Sequence, residues 1–250
     1  MKSIFCIALA VASTAAFAQS PPTKPGPTGK DHVQLVGLGE MPLPLPKSEL
    51  QRLQTPMVKA DDGFSNLSNE PDRVREFFNN LEIVKGQQAG AREAESYGEM
   101  MISGKPVPSA PLVVSNLADL KVGFKPASVR TGKLLGVAPQ GTIVNGAWTG
   151  VERYFHIEGG GSSRISETDM AASGGIFYMN KAAVNATVAG KPAISMVFID
   201  EQGRRIEEVL WVDGAKLYKV TYAPKLQAGR YGMMKANTAV SAFALATELR

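Results

Sequence analysis

Reactive side chains are scarce in this sequence. It has one cysteine, Cys6, and two histidines, His32 and His156. Cys6 lies inside an apolar run from Ile4 to Ala12 that follows the single charge of Lys2, and the run leads to Ala16-Phe17-Ala18. A charged start, a short apolar stretch and an A-x-A site predict a Sec-type signal peptide over residues 1–18, cut after Ala18. The run is too short for a membrane span, which needs about 20 apolar residues. Loss of Cys6 with this leader would exclude disulfides, a thiol nucleophile and cysteine metal ligands. The short Met-Lys start and the lack of disulfides together predict a bacterial periplasmic or secreted protein, large enough to do without disulfides. The motifs at Asn66-Leu67-Ser68 and Asn185-Ala186-Thr187 fit the N-glycosylation pattern, which is short and carries no meaning in most bacteria.

Clustered charge is also missing. The formal net charge is +4, one unit of it from Lys2, and the basic residues are interspersed, with no Lys/Arg run longer than Arg204-Arg205. Nucleic-acid binders usually carry a basic face, so nucleic acid is not expected as a partner. No second apolar stretch reaches membrane length, and no transmembrane segment is expected beyond the leader.

Seven prolines (21, 22, 25, 27, 42, 44 and 46) fall within residues 19–46. Proline fixes φ and removes a donor, so this stretch predicts a disordered or polyproline-type leader. Its segment Met41–Pro46 reads as a spacer, or as a ligand for an aromatic groove. A helical segment over 47–111 follows. Its clear helix is 70–85, where Asn69 or Ser68 caps, Pro71 and Asp72 suit the first turn, and Val74, Phe77, Phe78, Leu81 and Val84 form one apolar face. A second helix over 88–102 is weakened by Gly90 and Gly98. Prolines 106, 108 and 111 mark a boundary.

Residues 112–250 predict an antiparallel β domain closed by a helix. Strand patterns occur at Val113-Val114, Lys133–Val137, Thr142–Val144, Val151–Ile157 and Gly175–Met179. A meander follows at Ala193–Ile199, Arg204–Val212 and Ala215–Tyr222. Asp213-Gly214 reads as a two-residue hairpin turn, pairing Val212 with Ala215, Leu210 with Leu217 and Glu208 with Lys219. Alanine-rich Met233–Leu249 predicts the closing helix. The fold class expected is therefore α+β, mainly antiparallel, with flanking helices.

Few residues suggest chemistry. His156 and Glu158 alternate onto one strand face, and Asp169 or Glu167 would complete a metal or catalytic set if a loop folded back. The plainer reading is a polar strand histidine, with no metal and no cofactor. Gly159–Ser163 lacks the lysine of a phosphate-binding loop and reads as a hairpin loop. No Gly-x-Ser-x-Gly elbow is present. Carboxylates Glu152, Glu158, Glu167 and Asp169 could pair for sugar hydrolysis only through tertiary placement. Trp211, Tyr218 and Tyr222 fall on proposed strands, where they form either a binding surface or half-buried core. The functional expectation is an exported, non-enzymatic interaction or assembly protein of the cell envelope, binding an unidentified protein through a sheet face or edge. The alternatives are a secreted hydrolase using His156 and Glu158, or an inhibitor or immunity-type protein.

Overall fold

The computed structural model describes residues 33–36, 67–68, 71–86, 96, 98–100, 103, 113–158, 160–228, 234–236 and 240–249. The expected signal peptide, most of the proline-rich leader and most of the second predicted helix lie outside these residues. In chain order come β1 (Val33–Val36), β2 (Leu67–Ser68), α1 (Pro71–Gly86), β3 (Lys133–Val144), β4 (Ala147–Ile157) and β5 (Gly161–Asp169). The short helix α2 (Met170–Ser173) leads to β6 (Phe177–Asn180), β7 (Ala186–Val188) and β8 (Lys191–Ile199). The chain continues through β9 (Arg205–Asp213), β10 (Lys216–Pro224), β11 (Leu226–Ala228), β12 (Met234–Ala236) and α3 (Ala242–Glu248).

The fold is α+β and mostly antiparallel. An eight-stranded sheet runs β2-β8-β9-β10-β5-β4-β3, with β7 also paired to β8. Two meanders, β3-β4-β5 and β8-β9-β10, join through the antiparallel β5–β10 ladder. Turn chemistry explains the hairpins. Asn145 and Gly146 hold φ of +52° and +72° between β3 and β4, as a type I′ turn requires.

The β9–β10 turn corrects the expected register. Positive φ is confined to Gly214, at +59°, the pattern of a type II′ turn. The turn residues are Gly214 and Ala215, so Val212 faces Leu217, Trp211 faces Tyr218 and Glu208 faces Thr221. The ladder is displaced by two residues from the one predicted. Side chains alternate with period two, so the slip leaves every residue on its predicted face.

Each face of the sheet is covered. On α1, Val74, Phe77, Leu81 and Val84 are buried. They join Met196, Phe198, Ile206 and Leu210 in one cluster, so the core spans the boundary drawn near residue 111. The other face carries Phe155, Ile157, Val209, Trp211, Val220 and Tyr222, packed against Ala242, Leu245 and Ala246 of α3. Antiparallel sheets often leave one face wet; this one is a middle layer. A third cluster, with Val114, Leu120, Val137, Trp148 and Val151, closes the β3–β4 end.

Three expectations are corrected. The leader contains β1, parallel to β6, in the proline-free interval between Pro27 and Pro42. The predicted helix over 233–249 is divided: Met234–Ala236 pairs with β11, and α3 begins only after Ser241. The Ser241 hydroxyl accepts from Ala244 N at 3.1 Å, an N-cap that starts the helix there. Alanine permits a helix without excluding a paired strand. The glycine-rich hairpin loop is shorter than expected, because Gly161 to Asp169 is a central strand. Among the described residues, no helix is long and apolar enough to cross a membrane.

Candidate functional site

The unusual feature of this fold is charge placed beneath α1. Ladder partners share a face, so the pairs Glu152–Ser166, Arg164–Thr221, Ser166–Lys219 and Glu208–Thr221 bring six polar side chains together in the sheet. Arg73 reaches them from α1. Its guanidinium lies 2.6 Å from Glu208 Oε2 and 4.3 Å from the Phe198 ring centroid. The Thr221 hydroxyl donates to Glu208 Oε1 at 3.0 Å. Arg164 sits between the two carboxylates, 3.9 Å from Glu208 Oε1 and 3.9 Å from Glu152 Oε1. Tyr154 and Ser166 each donate to Glu152 at 3.0 Å. The Glu208 side chain is 1% exposed and that of Arg164 7%.

Burial acts to raise the Glu152 carboxyl, but Arg164, Lys219 and the two hydroxyl donors outweigh it and hold the group below the ordinary 4.5. Glu208 is likewise lowered: burial opposes ionisation, and Arg73, Lys219 and Arg164 overcome it. Lys219 is depressed below 10.5 by burial and by its cationic neighbour Arg164, despite both carboxylates. Burial and Glu152 push the Tyr154 phenol up. The balance favours ionised Glu152 and Glu208 held among the cations Arg73, Arg164 and Lys219.

The opposite face holds smaller buried pairs. Arg153 donates to Glu167, whose other oxygen accepts from Ala127 N at 2.8 Å. Glu207 accepts from Arg205 at 2.7 Å and from Ala242 N at 3.1 Å, tying down the first turn of α3.

The residues singled out in the sequence do not converge. His156 and Glu158 are exposed at the end of β4. Asp169 lies on β5 seven residues beyond Ser162, the ladder partner of His156, hence about 23 Å further along the strand. Its carboxylate caps α2, accepting from Ala172 N at 3.0 Å. Among the described residues, no group of three His, Cys, Asp or Glu could hold a metal. Trp211 and Tyr218 stack, with centroids 4.9 Å apart and planes 9° from parallel. Trp211 is 4% exposed and Tyr222 fully buried, so these two are interior and not an open binding surface; Tyr218 is half-buried. The Tyr222 hydroxyl donates to Gly160 O at 2.6 Å, and burial with Glu207 nearby pushes it up to about 12. The buried network itself was missed. Its one sequence signal was the Glu208–Lys219 charge pair, and those residues do share a face.

The edges of the large sheet are sealed. On β8, β7 covers residues 191–193 and β2 covers 197–198. The gap between them is filled by Asn185, whose carboxamide donates to Ser195 O and accepts from Ser195 N, both at 2.8 Å. That amide nitrogen is the atom a glycan would need. On β3, Val137 bonds outward to Val114 through both backbone groups, at 2.7 and 2.9 Å. Alternation makes position 139 the next to face outward, and it is proline, which has no N–H to offer. Gly141, at φ +79°, then marks a bulge. Proline and bulges of this kind block strand addition.

Two clefts remain. A polar cleft of about 570 Å³ lies among Asp72, Arg75, Asp200 and Arg204. An apolar notch of about 180 Å³ is lined by Leu35, Met179, Pro192 and Val212. Leu35 is 39% exposed, the one exposed large hydrophobic among the residues whose burial is described. No member of the buried network lines either cleft.

These features define an α+β domain with a doubly covered, edge-sealed sheet. No family model matches the chain, and comparison with curated proteins and with solved structures found none similar to it.

Proposed function

We propose that this chain is an exported, non-enzymatic interaction or assembly protein of the cell envelope, and that it meets its partner at the two-stranded β1–β6 sheet. The observation that carries this reading is Leu35, exposed at 39% on β1 beside the apolar notch. The large sheet has its edge strands β8 and β3 closed and its faces covered; of the two-stranded sheets β1–β6 and β11–β12, the first carries the exposed Leu35. The buried charges support the same reading. Their carboxylates are engaged by Arg73, Arg164, Thr221, Tyr154 and Ser166 beneath α1, away from both clefts, and serve structure more readily than turnover.

Apolar anchors that fill a small pocket carry much of the energy of protein contacts. Burying the exposed 39% of Leu35 contributes about 0.6–1.2 kcal/mol, roughly three- to sevenfold in affinity, and an aspartate there adds the cost of desolvating a charge. Photo-crosslinking and affinity capture from cell envelopes, with wild-type and Leu35→Asp baits, test the assignment. A partner retained by the wild type and reduced at least tenfold by Leu35→Asp, with an unchanged melting temperature, is expected. Equal capture by the two baits would remove Leu35 from the interface.

A further inference from the structure

We draw no further inference here: the strongest candidate, the apolar notch where β1 and β6 meet the β8–β9 hairpin, lined by Leu35, Met179, Pro192 and Val212, belongs to the site already proposed, and nothing in the structure shows what covers it.

Discussion

Replacing Glu208 by glutamine tests the claim that the charges beneath α1 are held together by mutual compensation. The Glu208 side chain is 1% exposed, with Arg73 at 2.6 Å, Arg164 at 3.9 Å and the Thr221 hydroxyl at 3.0 Å. Glutamine keeps the shape and the acceptor for Thr221, but removes the negative charge. Arg164 and Lys219 then keep Glu152 as a partner, while Arg73 loses the carboxylate it holds at 2.6 Å. Removing one partner of a buried ion pair typically costs about 3–5 kcal/mol, and the retained shape places Glu208→Gln near the lower end. For a chain of this size, about 3 kcal/mol lowers the melting temperature by roughly 6–12 °C. Urea titration and thermal unfolding followed by far-UV circular dichroism measure both quantities. Adding Arg73→Met to Glu208→Gln is expected to recover at least about 1 kcal/mol relative to the sum of the single changes, because the two side chains are in contact. A loss under about 0.5 kcal/mol for Glu208→Gln, the level of an ordinary surface change, would refute the reasoning.

Glu152 and Glu208 sit below their ordinary 4.5 in the folded state, so the folded chain binds fewer protons than the unfolded one just below that pH. Their stabilisation is full above about pH 5 and lost as pH falls through the folded values; acid unfolding curves of Glu152→Gln/Glu208→Gln should be flatter there, and curves parallel to wild type would contradict the assignment. Lys219 is depressed from 10.5, which raises stability as pH climbs toward that value; Lys219→Met should remove this rise in urea midpoints measured between pH 7 and 10. Asn185→Ala leaves both backbone groups of buried Ser195 without their partner and opens the β8 edge; a loss of about 2 kcal/mol with increased light scattering is expected, and neither change would mean the edge is closed by β7 and β2 alone. Pro139→Val restores an outward N–H on β3, so self-association by sedimentation velocity should increase at nearly unchanged melting temperature, and an unaltered sedimentation profile would deny Pro139 a protective role.

Legibility in the sequence followed burial pattern. Helix α1 was readable to within one residue at each end, because its apolar positions repeat at helical spacing and Pro71 marks its start. The strands β4, β8, β9 and β10 were readable from β-branched and aromatic runs. β5 was not, because its Ser163, Arg164, Ser166 and Glu167 are buried polar groups. A central strand that carries the charges of an internal network shows no apolar alternation. The register of β9 on β10 was read two residues out, since Asp213-Gly214 and Gly214-Ala215 both suit a two-residue turn. Trp211 and Tyr222 were read as candidates for an exposed surface because nothing local reveals that α3 returns over them.

Local chemistry, acting over a few residues, determined which segments became helix or strand and which side of each strand was apolar. The pairing of β5 with β10, the placement of α1 and α3 over opposite faces, and the burial of Glu152, Arg164, Glu208 and Lys219 together were decided by tertiary structure. The physical reason is that a charge is tolerated in the interior only beside its counter-charge. Those partners come from residues as distant as 73 and 208, which no window along the chain can bring into view.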